Sequence, residues 1–348
     1  MSLPLISLSV PVYGTESSLP AFLDSILEQH PLSGSSAGQG ALPIEILIVN
    51  DGSPDGSSLP KILKPYKKPL KKLGACLEFL EHGTNLGTFE ARRTAVQASL
   101  GSYIFFADPD DTLPPDALHS LYTAAVHSDA DIIHGRAECK KAFSQADSEL
   151  YKNENFFELE KSVKKVRLGV FKEMDLLSSF LLDKNHSGLL CTKLFRSSVV
   201  KSAFADIPHT FCTMTETFLI YFFILLYARS YCGIEDTVYT YHIGTGITSN
   251  AEISSLDRWE KACTAASVFT VIFSYLEEHP LNLPRSAELI TALEGLCRNH
   301  ARMNIRHLER VIPSLQAEAY AILCDYWGED YVKQIEKSMK DEGQKPNF

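Results

Sequence analysis

The chain has 348 residues, 45% of them hydrophobic, enough to bury a large core and to fill about two domains. A formal net charge of −10 excludes a general nucleic-acid binder, which needs a basic face to neutralise phosphates. The eight cysteines (Cys76, Cys139, Cys191, Cys212, Cys232, Cys263, Cys297, Cys324) have no close pairing, so they spell out neither a zinc module nor a redox motif and fit reduced thiols in a cytoplasm.

The opening "MSLPLISLSVPVY" lacks a positive leader and a long apolar core and reads as a first strand, not a signal peptide. Ser17 to Gln29 predicts a helix, and the Gly/Ser-rich "SGSSAGQG" a flexible loop. "IEILIVNDGS" is a second strand whose continuous β-branched run implies burial on both faces. Residues 58 to 73 predict a helix interrupted by Pro65 and Pro69, "CLEFLEH" a third strand, Thr88 to Ser99 a helix, and "SYIFFAD" a fourth strand. This alternation is the signature of an α/β fold with a mostly parallel, helix-covered sheet, in which ligands bind beyond the carboxyl ends of the strands. The apolar run "FLIYFFILLYA", Phe218 to Ala228, is about half a membrane span and reads as a buried helix. Beyond Ser249 the pattern turns helical. "SSLDRWEKACTAASVFTVIFSYLEEH" puts Leu256, Trp259, Cys263, Ala266, Phe269, Phe273 and Leu276 on one stripe, for core or subunit contact.

One stretch needs more than turn chemistry. "YIFFADPDDTLPPDAL" packs Asp108, Asp110 and Asp111 into four positions as a strand ends. Asp111 or Thr112 capping a helix near Pro114 accounts for one carboxylate. Three together are comfortable only if a cation or hydroxyl groups hold them. Residues two apart on a strand share a side, with Cα atoms roughly 6 to 7 Å apart, so Asp108 and Asp110 can converge on one ligand.

"VPVYGTESSL", "IVNDGSPDGS" and "NLGTFEARRTAVQASLGSYIFFADPDD" together resemble, in order and spacing, the nucleotide-sugar half of the family 2 glycosyltransferases, which have the GT-A fold. The likeness is strong over about residues 4 to 120. It continues more weakly to about 250 through "LLCTKLFRSSVV", "TMTETFLIYFFILLYA" and "YHIGTGITS". The resemblance implies a nucleotide-sugar-binding half at 1–112, an acceptor-side half at 113–250 and a helical C-terminal region at 251–348. It implies an inverting transfer of a hexosyl or N-acetylhexosaminyl group from a nucleotide-sugar, a UDP-sugar first, to a hydroxyl of a cell-envelope glycan or lipid-linked acceptor. By the same resemblance Asp110 binds Mg²⁺ or Mn²⁺, Asp108 meets the metal or the ribose, and Asp111 supports them or caps the helix. Asp51 accepts from the nucleobase, while Val12, Tyr13 and Glu16 complete the pocket and Gly14 stands where the family often carries Asn. Arg92 fits a basic residue that meets the ribose or diphosphate, although an Arg in an "EARR" run also suits a solvated helix face.

The family supplies its general base from a Glu-Asp pair at a helix start; here the matching residues are Glu216 and Thr217. A threonine hydroxyl is no base near neutral pH. Glu216 is therefore the expected base, with Asp206 as the other candidate. The rival reading is a donor-binding protein of a glycan-assembly complex that has lost transfer. The arginines 298, 302, 306 and 310 and the lysines of "KILKPYKKPLKK" read as solvated faces, or as contacts to anionic lipid or a phosphorylated acceptor. The expected place is the cytoplasm, with peripheral contact at the inner face of the membrane, and a second copy of the chain is admitted as a partner.

Overall fold

The structure, a computed structural model, describes residues 3–32, 41–141, 160–243 and 252–342. The loop expected at 33–40 and most of the "YHIGTGITS" landmark lie outside them. The chain divides into two compact units, Met1–Ile207 with Ile220–Gly246, and Pro208–Leu219 with Ile247–Phe348.

The first unit is built on one sheet. Its strands are β1 (Ile6–Val12), β2 (Ile44–Asn50), β3 (Cys76–Glu81), β4 (Tyr103–Phe106), β5 (Ile132–Lys141), β6 (Gly169–Lys172), β7 (Lys193–Arg196) and β8 (Ser230–Ile243). They lie in the order β3-β2-β1-β4-β7-β5-β8-β6. β1, β2, β3 and β4 pair in parallel, as do β5 and β8, while β7 runs antiparallel between β4 and β5 and β6 antiparallel on β8. This is the mostly parallel GT-A architecture. The helices α1 (Leu19–Leu27), α2 (Leu59–Lys72), α3 (Thr88–Ala98), α4 (Ala117–Ser128), α5 (Leu176–Leu181) and α6 (Ser197–Asp206) accompany it. Every residue of β1 and β2 is buried, as a strand covered on both faces requires. The order reverses at β1, with β2 on one side and β4 on the other, a switch point of the kind beyond whose carboxyl strand ends such sheets bind ligands.

α2 is continuous, against the expected interruption. Pro65 and Pro69 lie inside it, and each removes a backbone donor to the residue four before, Lys61 and Pro65. Both of those residues are exposed, where water satisfies the freed carbonyls, while Leu59, Leu63 and Leu70 anchor the opposite face.

The helix α7 (Glu216–Tyr227) starts in the second unit and continues into the first. Its apolar run is buried, as expected. The second unit is helical: α8 (Leu256–Cys263), α9 (Ala265–Glu278), α10 (Ser286–Leu308), α11 (Gln316–Trp327) and α12 (Glu329–Asp341). The helical stripe from Leu256 onward is divided at Thr264, whose Oγ1 donates to Lys261 O at 2.7 Å and accepts the amides of Thr213 and Met214 at 3.2 and 3.0 Å. Trp259 and Cys263 then pack in one core with Ala319, Leu323 and Val332. No helix among the described residues is long and apolar enough to cross a membrane.

Candidate functional site

The polar residues of interest in the first unit gather where the sequence expects them, at strand ends. Val12 is fully buried, and what it offers is its carbonyl, which accepts from Asp51 N at 2.9 Å and Ser53 Oγ at 3.4 Å. Tyr13 follows, 38% exposed, and Gly14 stands at φ 67°. That left-handed conformation is open to Gly and to Asn, which explains why Gly serves where the family often carries Asn. Oε1 of Glu16 and Oγ1 of Thr15 are shielded from solvent without a hydrogen-bond partner. Buried polar oxygens in that condition mark a place where a donor group from outside the chain fits.

Asp51 is the most heavily used carboxylate of the site. Its Oδ1 accepts from Leu86 N at 2.9 Å and Oδ2 from Gly87 N at 2.9 Å, while His82 Nδ1 lies 2.7 Å from Oδ1. The other nitrogen of His82 meets Thr94 Oγ1 at 2.8 Å, tying the staple to α3. Gly52, at φ 66°, lets the segment pass, since a Cβ there would lie 2.4 Å from the Thr84 carbonyl carbon. Burial raises the Asp51 pKa, against the opposing hydrogen bonds from Leu86, His82 and Gly87. Asp51 thus fixes the "NLG" loop against the end of β2, which the reading of "NDGS" as a nucleotide contact alone does not include.

The carboxylate cluster follows β4. Arg92, on α3, is buried and extends Nη2 to Asp108 Oδ1 at 2.7 Å, with its guanidinium 5.9 Å from the centre of the Phe106 ring. Neither arginine of "EARR" is solvated, because Arg93 donates to the carbonyls of Phe204 and Ile207 and pairs with Glu90. Asp108 N donates to Tyr239 Oη at 3.0 Å. Asp108 and Asp110 are both partly exposed, whereas Asp111 is buried. Asp111 caps no helix: α4 begins at Ala117 after Asp116, and Asp111 Oδ1 accepts the amide of His242 at 2.7 Å. Burial first, and then the charges of Asp110 and Asp108, push its carboxyl well above the usual range.

Among the described residues no group of three or more His, Cys, Asp or Glu side chains converges as a metal cage. Two partly exposed carboxylates are what Mg²⁺ or Mn²⁺ needs when phosphate oxygens and waters complete the octahedron, so the residues fit a cation that arrives with a diphosphate.

Glu216 opens α7 and belongs to the second unit. It is buried, and Thr217 Oγ1 donates to its Oε1 at 3.3 Å. The residue before it, Thr215, takes φ 67°, an unusual conformation for a β-branched residue. Asp206, the other candidate base, is hydrogen-bonded by the Tyr227 hydroxyl.

Sequence reasoning missed a buried polar group behind β4. Lys193, His134 and His186 are buried together; Lys193 Nζ donates to Leu189 O at 2.5 Å and sits 4.8 Å from the centre of the Tyr221 ring. His134 Nδ1 meets Tyr231 Oη at 2.7 Å. Burial lowers the Lys193 pKa to about 7 and the His186 pKa to about 3. The one available signal was a lone Lys inside the apolar "LLCTKLF".

The mostly parallel sheet, with acidic residues beyond its switch-point strands, is of the GT-A type. Residues 7–172 match the model described as Glycosyl transferase family 2, so this segment is similar to that family. Among curated proteins it is 34% identical over 131 residues to the uncharacterized glycosyltransferase EpsJ of Bacillus subtilis, covering 38% of this chain and 33% of that one. It is 32% identical over 151 residues to the putative glycosyltransferase EpsH of the same organism, covering 43% and 39%. The matches thus span well under half the length of these relatives. The crystal structure of Staphylococcus aureus TarS 1-349 in complex with UDP-GlcNAc is similar with a TM-score of 0.53 at 17% identity, covering 99% of this chain and 93% of that one, a likeness of fold.

Proposed function

We propose that the protein is an inverting, metal-dependent glycosyltransferase that moves a hexosyl or N-acetylhexosaminyl group from a UDP-sugar to a hydroxyl of a glycan or lipid-linked acceptor of the cell envelope. The observation that carries this reading is the pair of partly exposed carboxylates, Asp108 and Asp110, following β4 with Arg92 bonded to the first of them. The fold likeness to a protein solved with UDP-GlcNAc supports a UDP-sugar as the first donor to try. In this reading residues 1–112 form the donor half, 113–250 the acceptor side and 251–348 a helical extension.

Asp51, stapled to the "NLG" loop, turns its remaining lone pair to the nucleobase, beside Tyr13 and the backbone of Val12. Glu16 accepts from the ribose hydroxyls. Arg92 holds Asp108 in one orientation and adds positive charge near the diphosphate. Asp110 and Asp108 would hold the Mg²⁺ or Mn²⁺, which offsets the charge that develops on the departing diphosphate. Glu216 takes the proton of the acceptor hydroxyl. The protein works in the cytoplasm against the inner face of the membrane.

A thermal-shift screen of UDP-, GDP-, dTDP- and CMP-sugars with Mn²⁺ tests the reading, because a ligand that binds only the folded state raises the melting temperature. A shift with one nucleotide class, followed by release of that nucleoside diphosphate, is the expected result; no shift with any of them contradicts it. Thr217 in place of the family's Asp favours one second reading, a donor-binding protein without transfer. That reading predicts the same shift and no diphosphate release.

A further inference from the structure

We infer that the exposed face of α2 is a docking surface for an anionic lipid bilayer. Within Leu59–Lys72 the chain carries Lys61, Lys64, Lys67, Lys68, Lys71 and Lys72 and no acidic residue, in a protein whose net charge is −10. All six are exposed, and none forms an ion pair or side-chain hydrogen bond among the described residues. At about 100° per residue they fall within an arc of roughly 140°, and at about 1.5 Å of rise per residue they extend over roughly 17 Å. Leu59, Leu63 and Leu70 occupy the opposite side and are buried in the core of the first unit. The lysine face is therefore oriented outward by the packing of its own helix.

The arginines of the C-terminal unit make a contrast. Arg302 is held by Ser338 and Glu342, and Arg310 lies past the end of α10, so they form no continuous free face.

A solvated surface helix usually mixes signs, because opposite charges three or four residues apart support it. Six like charges repel one another, and a surface of opposite sign relieves that repulsion. The chemistry favours a diffuse, planar anion over a discrete ligand. The face is convex and consists of lysines with Pro60, and it has no arginine fork to grip a phosphate bidentately and no ring on which a sugar stacks. Lysines spread on a helix match the potential of acidic headgroups, which acts within about a Debye length of the surface. The chain as a whole is acidic, so a face that carries only positive charge orients docking. α2 follows in the chain the turn after β2 that holds Asp51. The inference does not depend on transfer activity.

Vesicle co-sedimentation of the full chain tests it, without donor or acceptor. Expected is binding to phosphatidylcholine vesicles that contain phosphatidylglycerol, none to pure phosphatidylcholine, and loss of binding at high salt. The triple variant Lys64→Gln, Lys68→Gln, Lys71→Gln should bind the acidic vesicles more weakly by on the order of tenfold or more, with its melting temperature and nucleotide binding unchanged. A control that removes three other lysines, Lys161→Gln, Lys164→Gln and Lys333→Gln, should bind like the parent. Three outcomes would overturn the proposal: no binding by the parent, equal loss in the control, or a parent that captures a soluble polyphosphate chain and leaves vesicles alone.

Discussion

Arg92 Nη2 and Asp108 Oδ1 are 2.7 Å apart, and the arginine is the more deeply buried partner, with 5% of its side chain exposed against 33% for the aspartate. The pair joins α3 to the end of β4 and fixes the first carboxylate of the candidate site. Removing the aspartate would leave a buried cation, and removing the arginine leaves a half-exposed anion that water can solvate. Arg92→Met should therefore cost roughly 1 to 3 kcal/mol of stability, and Asp108→Ala at least as much. Urea denaturation of both variants checks the order; an Arg92→Met protein much less stable than Asp108→Ala would mean that the arginine acts through other contacts.

Asp51 has a structural duty as well as its proposed nucleotide contact. Asp51→Ala strands the amide of Leu86 and the buried amide of Gly87, and should lower stability by about 1 to 3 kcal/mol and weaken UDP binding by about 1.5 to 3 kcal/mol. His82→Ala loosens the same staple without touching the base, so its loss of UDP affinity should be the smaller. Equal affinity losses in calorimetric titrations would assign the effect to loop order and leave Asp51 no direct contact.

Lys193 gives a pH dependence with a definite sign. Its folded pKa, about 7, lies below the ordinary lysine value of 10.5, so between these values the unfolded chain binds the extra proton. Stability from this group is gained as pH rises through that window and lost as pH falls toward about 7. His134 and His186, lowered by burial, act the same way below the ordinary histidine value of 6.5. Relative to the parent, Lys193→Met should show a flatter melting temperature between about pH 7 and 8.5, and a shallower fall in acid because the Lys193 charge helps to hold His134 and His186 low. Parallel curves for the two proteins would show that Lys193 stays charged when folded.

Glu216→Gln keeps the size of the side chain and most of its hydrogen bonding but cannot accept a proton. Donor binding should persist while transfer falls by roughly 10² to 10⁴. Thr217→Asp should raise activity by restoring the family's acidic pair. Transfer at the parent rate by Glu216→Gln would remove Glu216 as base and turn attention to Asp206, whose bond with Tyr227 would then need to open.

The first four strands were legible because each is a short β-branched or aromatic run bounded by turn residues, and because β1 and β2 are apolar throughout, as strands buried on both faces must be. β5 to β8 were not, since β7 enters antiparallel between β4 and β5 and such order is set by long-range pairing that no local period encodes. Thr264 hid a helix break inside one unbroken apolar stripe, because a hydroxyl that accepts the amides of Thr213 and Met214 leaves no mark on periodicity. The strand-end carboxylates stood out through their crowding. Their partners stood out less: Arg92 entered through the family resemblance, since its "EARR" run alone also suits a solvated face, and the tie from Asp111 to His242 spans 131 positions.

The most direct test of the account is the affinity of UDP for the parent and for Asp110→Asn, measured by calorimetry with Mn²⁺ and with chelator. If the carboxylates after β4 receive a metal-bound diphosphate, the parent binds UDP more tightly with Mn²⁺ than without it, and Asp110→Asn, still folded, loses most of that difference. Equal UDP affinity of the parent with and without metal would contradict the account.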